Sequence, residues 1–136
     1  MDRAMGYLAL AKKGKLAELG EEPVGAAARA GKAYAVLVAS DASEHTWRRA
    51  QSYVAGTDQQ CLRLDQTKEE MGLAVGRTSL AIAAVTDPAM ALALVKSLGR
   101  EKDAAAVAVL TQKAQRRKQR LAEAKAHQRN LRRGKK

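Results

Sequence analysis

The run KAQRRKQRLAEAKAHQRNLRRGKK, residues 113–136, holds eleven Lys or Arg and a single acid, Glu123. The chain of 136 residues has a formal net charge of +11, so residues 1–112, with fourteen basic and thirteen acidic side chains, are close to neutral. Clustered cations displace condensed counterions from a phosphate backbone, and a block confined in this way reads as a docking arm for a polyanion. Lys113, Arg116, Arg117, Lys118, Arg120, Arg129, Arg132 and Arg133 are the candidate phosphate contacts. Such contacts position a nucleic acid without reading it. Any selectivity must come from the rest of the chain.

Other chemistry is sparse. Cys61 has no neighbouring base and reads as a small buried hydrophobe. His45 and His127 lie too far apart in sequence to suggest a metal site or a nucleophile–base pair. Gly72 and Gly76 match neither common phosphate-binding loop, and Asp41 and Asp87 read as helix caps. No catalytic, metal or cofactor constellation emerges, so the expectation is a non-enzymatic protein without a small-molecule substrate. Bases stack on aromatic side chains, but Trp47 and Tyr53 share no clean helical face. In a chain with 3% aromatic residues, the lone Trp reads as a core anchor. Tyr34 reads as structural, and Arg48 and Arg49 as surface charge.

The elements that would carry these residues alternate in type. Residues 3–13 place Met5, Leu8 and Lys12 at helical spacing before Gly14. A short extended piece follows at Leu16–Leu19. Gly20-Glu21-Glu22-Pro23 then opens a second helix, with Pro in the first turn and acids at the positive helix end, and Gly31 closes it. Tyr34–Ala39 is a continuous apolar run of the length of a strand buried on both faces. Asp41-Ala42-Ser43-Glu44 reads as a capping box for a helix to about Ala55, and Thr67-Lys68-Glu69-Glu70 as another. Gln60–Leu64 and Leu80–Val85 are further strands, and Asp87-Pro88 caps a helix reaching Leu98. The alternation predicts an α/β layered domain over residues 1–99, with helices on both sides of a mainly parallel sheet. After the polar break at Gly99–Asp103, Ala, Gln, Lys, Arg and Leu dominate. Leu110, Ala114, Leu121, Ala124 and Leu131 form only a thin apolar stripe, so residues 100–136 are expected to be a basic extension, partly helical or disordered without a target.

One cysteine excludes an internal disulfide and suits a reducing compartment. The N-terminus lacks a basic segment followed by an apolar signal core, and no apolar run approaches the roughly 20 residues that span a bilayer. The expectation is a cytoplasmic monomer with no membrane partner.

LALAKKGKLAELGEEPVGAAARAGKAYAVLVASDAS, residues 8–43, resembles the bacterial YlxQ-type proteins of the kink-turn RNA-binding ribosomal protein superfamily. TKEEMGLAVGR, residues 67–77, and AVTDPAMALAL, residues 84–94, extend the resemblance to about residues 4–98. The combination of GEE, the apolar strand, the Asp at its end and the later KEEM segment carries it. The resemblance implies a three-layer α-β-α sandwich with a small mixed sheet, a structured and ribosomal RNA partner, and a place in translation.

At the superfamily's RNA-reading turn, the resemblance places Gly20 at the matching glycine, where the absence of a Cβ allows close backbone approach. Glu21 stands at a Thr position and Glu22 at an Asn position, while Pro23 and Ala26 replace the motif's Glu and Lys. YlxQ-type proteins commonly carry GEE here, so the resemblance implies the fold rather than kink-turn reading. Lys12, Lys13 and Lys15 precede this turn and are expected to supply phosphate contacts on its edge of the domain. Arg77, with Thr78 and Ser79, falls in the loop that borders RNA in the resembling family. An alternative reading is a protein-interaction adaptor of the transcription or translation machinery, pairing through the Ala-rich helix near 104–126. Duplex DNA is the remaining option on charge, and the resemblance turns the choice to RNA.

Overall fold

The computed structural model describes residues 2–134, with side chains to Leu131. Ten elements run α1 (Arg3–Lys13), β1 (Ala17–Leu19), α2 (Glu21–Arg29), β2 (Ala35–Val38), α3 (Glu44–Val54), β3 (Gln60–Arg63), α4 (Lys68–Val75), β4 (Ile82–Val85), α5 (Pro88–Ser97) and α6 (Glu101–Gly134). The α/β class and the element boundaries agree with the sequence reading to within a few residues. The sheet is not mainly parallel. Its order is β1-β4-β2-β3, and only β2 and β3 run parallel, while β4 is antiparallel to both β1 and β2. The alternation rule misled because the β3–α4–β4 connection returns against the strand direction: the Gly76–Ala81 loop folds back along α4, and the Leu80 N–H bonds to the Lys68 carbonyl. The result is the small mixed sheet.

Every residue of β2 and β4 is buried, as expected for strands covered on both faces. Helices α2 and α3 cover one face. Helices α1, α4 and α5 cover the other, and α6 packs against α5 and the edge strand β3. Met5, Leu8, Val24, Leu37, Met71, Ile82 and Leu94 are fully enclosed, each contributing about 1.5–3 kcal/mol of apolar burial.

Caps fix where the helices start. Ser43, not Asp41, caps α3, with its hydroxyl accepting from the Thr46 N–H. Asp41 instead accepts from the Lys68 N–H at 2.8 Å, supplying α4's first turn from a distant loop. Thr67 and Glu70 form the full reciprocal capping box on α4, and Asp87 caps α5 through the Met90 N–H.

The predicted break at Gly99–Asp103 does not end the packed unit. Helix α6 starts at Glu101, antiparallel to α5, and buries Val107 and Leu110. Beyond Ala114 every described side chain of α6 is exposed, including Leu121 and Leu131, so the thin stripe covers nothing there. The extension is helical through Gly134.

Candidate nucleic-acid interface

Strand pairing sorts the candidate residues between two opposite edges of the sheet. Leu19 pairs with Ala83 and Val38 with Ile82. The Gly20 turn, the Ser40–Ser43 loop and the Gly76–Ala81 loop therefore gather at one edge. Ala17 pairs with Val85, and Ala35 with both Val85 and Gln60. The α1–β1 turn, Tyr34, Gln59 and Thr86 therefore lie at the other.

At the Gly20 edge, Gly20 adopts φ +97° and donates its N–H to the Ile82 carbonyl at 3.0 Å. This left-handed backbone suits glycine, which has no Cβ to clash. Helix α2 begins here with Glu21 and Glu22 in its first turn. Glu21 is occupied: its Oε2 accepts from Arg49 Nη1 at 2.9 Å and its Oε1 from the Thr46 hydroxyl at 3.2 Å. Arg49, read from sequence as plain surface charge, thus partners the predicted reading turn. Glu22 is exposed. Arg77 is also exposed, in a loop held by its own N–H to the Gly72 carbonyl at 2.8 Å. The structure therefore brings Gly20, Glu21, Glu22 and Arg77 together at one edge.

Lys12, Lys13 and Lys15 are not with them. They are exposed at the end of α1, where the Thr86 N–H bonds to the Leu16 carbonyl, and β1 carries the chain from there across the sheet to Gly20. Proximity in sequence to the GEE turn misplaced them, because three residues of extended strand move the chain by roughly 10 Å. Lys15 has φ +60°, a left-handed turn that starts the strand.

Helix α6 descends to this same Tyr34 edge. Arg100 pairs with Asp65 beyond the end of β3, at 3.9 Å, and Lys113 pairs with Asp58 before its start. Arg116, Arg117, Lys118, Arg120 and Arg129 then follow on exposed turns, while the side chains of Arg132 and Arg133 lie outside the described residues. Lys113, Arg117 and Arg120 recur on one face of the helix by the spacing rule, and Lys118, Lys125 and Arg129 on another.

Charge follows the same division. The Gly20 edge collects Glu21, Glu22, Glu44, Glu69 and Glu70 in the first turns of α2, α3 and α4, where helix dipoles favour anions. The Tyr34 edge collects Lys12, Lys13 and Arg29 in the last turns of α1 and α2, together with the cations of α6. Cations also stand at the Gly20 edge, at Arg63, Lys68, Arg77, Lys96 and Arg100, so its charge is mixed, whereas the Tyr34 edge is mainly cationic.

Trp47 and Tyr53 are partly buried against the core. Arg63 lies over the Trp47 ring at 5.5 Å from its centroid, so the ring is used internally. Cys61 is half-buried in β3, and burial pushes its thiol up to about 11. Among the described residues, no group of three or more His, Cys, Asp or Glu is placed to hold a metal, and no helix is long and apolar enough to cross a membrane.

No family model matches this chain. No curated protein matches it either. Solved structures do share its fold. A protein of unknown function from Bacillus halodurans superposes with a TM-score of 0.69 at 21% identity, covering 74% of this chain and 100% of that one. A 15.5 kD RNA-binding protein from Giardia lamblia superposes with a TM-score of 0.55 at 15% identity, covering 74% of this chain and 85% of that one. At these identities the likeness is one of fold.

Proposed function

We propose that this chain is a non-enzymatic RNA-binding protein of the ribosome or translation machinery, in the YlxQ-type branch of the kink-turn binding superfamily. It grips structured RNA, ribosomal RNA included, through sequence-independent phosphate contacts from α6. The observation that carries the proposal is the exposed cationic helix: Lys113, Arg116, Arg117, Lys118, Arg120, Lys125 and Arg129 against one acid, Glu123, on a helix anchored by Val107 and Leu110. Such a helix has no packing role of its own beyond Ala114. Its charge suits a polyphosphate partner, and the fold shared with an RNA-binding protein supports RNA over duplex DNA.

In this reading, selectivity comes from the Gly20–Glu22 turn and the Arg77 loop at the other edge. A salt series on a structured RNA tests the assignment. Reversing Arg116, Arg117, Lys118 and Arg120 to Glu is expected to lower the slope of log affinity against log salt by about 3–4, near 0.9 for each lost phosphate contact. Arg77→Ala is expected to leave that slope within about one unit and to change which RNAs are preferred. Equal slopes for the wild type and the fourfold variant would remove α6 from the interface.

A further inference from the structure

The Tyr34 edge contains a groove that the GEE turn does not reach. Two cavities of about 260 and 420 Å³ share Tyr34, Ala114 and Arg117 in their linings, so they lie side by side as one grooved surface between α6 and the α2–β2 loop. Arg29 and Lys113 flank one end, and Lys32 and Lys118 flank the other. Arg29, Lys32, Arg117 and Lys118 are exposed, while Tyr34 is half-buried between them with its inner side packed on the core. Three carboxylates stand nearby and two are engaged. Asp58 pairs with Lys113, Asp87 lines the groove and accepts from the Met90 N–H while keeping its charge, and Glu18 is exposed beyond Lys32.

The end of α2, with Arg29, and the loop that follows, with Lys32, are held in place. Gln59 is buried, and its side chain accepts from the Ala33 N–H at 2.9 Å and donates to the Ala28 carbonyl at 3.1 Å. The groove wall is therefore set before any ligand arrives, which lowers the ordering cost of binding. An aromatic ring between two pairs of cations matches the physical needs of an unpaired nucleotide strand, whose bases stack while its phosphates are neutralised. A regular duplex offers its phosphates but keeps its bases stacked inside, so it cannot use the ring.

We propose that this groove seats a single-stranded RNA segment, with Tyr34 stacking on a base and Arg29, Lys32, Arg117 and Lys118 holding the flanking phosphates. The proposal rests on the RNA-binding reading above and adds a second contact surface, on the opposite edge from the Gly20 turn. Tyr34 and Lys32 are then ligand-contacting residues, and Gln59 is a positioning residue.

The test uses the full chain, a twelve-residue oligouridylate carrying one photoreactive 4-thiouridine, and a blunt-ended, fully paired RNA duplex of two strands. Crosslinks are expected on peptides spanning 28–34 and 113–121. R29E/K32E leaves the four central tail cations intact and is expected to weaken oligouridylate binding by about tenfold or more at low salt. Tyr34→Leu is expected to weaken it by about 5- to 150-fold and Tyr34→Phe to restore it, since the ring and not the hydroxyl stacks. The duplex is expected to respond to R29E/K32E but not to Tyr34→Leu.

Crosslinks confined to residues 20–22 and 77–79, with R29E/K32E binding like the wild type, would overturn the groove while leaving the RNA-binding reading in place. A wild-type chain that binds neither RNA at low salt would overturn both. An acidic peptide of equal charge bound as tightly as the oligouridylate would overturn the assignment to RNA, because a peptide carries no base to stack. Circular dichroism and a thermal melt of each variant separate loss of binding from loss of fold.

Discussion

Gly72 shows how one atom can hold a functional loop. A Cβ at this position would stand 2.7 Å from the Ser79 nitrogen and 2.8 Å from the Arg77 carbonyl oxygen, both backbone atoms. Neither can swing aside as a flexible side chain would. Gly72→Ala is expected to destabilise the fold by about 1–3 kcal/mol, read as a lower urea midpoint, and to displace the loop carrying Arg77. Cys61 offers a second check. Its thiolate is disfavoured by burial, with the pKa pushed up to about 11. Alkylation of the native protein should be slow at pH 8 and should keep rising with pH beyond 9, where an ordinary cysteine levels off. A native rate equal to that in urea would show an open β3. Glu21 carries a more general lesson: the resemblance placed it at the RNA-reading turn, yet Thr46 and Arg49 already use both of its oxygens.

Helix α6 combines two roles along its length. Residues 101–114 pack on α5 and β3, and Val107 and Leu110 together contribute about 3–6 kcal/mol of apolar burial. From 115 onwards the helix stands alone, with the like-charge neighbours Arg116 and Arg120 four residues apart. Such a pair costs about 0.2–0.5 kcal/mol. Removing residues 104–136 would therefore confuse folding with binding. A chain stopped after Gln115 is expected to melt within about 2 °C of the full protein, and one stopped after Asp103 to melt at least 10 °C lower. Equal melting of all three in calorimetry would show that α6 adds nothing to the core. The remaining elements follow from their caps: Ser43, Thr67 and Asp87 each accept the expected first-turn N–H. The exception is Asp41, whose local pattern suggested α3 but whose carboxylate serves α4.

Taken together, the excess of cations is gathered at one edge of the sheet. The Gly20 edge mixes the acids of three helix starts with Arg63, Lys68, Arg77, Lys96 and Arg100, whereas bases predominate at the ends of α1 and α2 and on α6 at the Tyr34 edge. A polyanion approaching such a particle is drawn to the Tyr34 edge first. The four tail cations are exposed, so reversing them to Glu is expected to leave the melting temperature within about 2 °C while binding falls. A large melting shift would mean that these side chains help to hold the fold.

Local signals made the element types, the caps, the buried strands and the confined tail charge legible from sequence, because periodicity, capping pairs and net charge act between near neighbours. The order β1-β4-β2-β3, the separation of Lys12, Lys13 and Lys15 from Gly20, the Glu21–Arg49 pairing and the adjoining cavities around Tyr34 depend on contacts between residues far apart in sequence. Tyr34 reads as an ordinary strand-start residue until α6 descends beside it. Those features follow from strand direction, which sets the edge that each loop occupies and which no local pattern in this chain encodes.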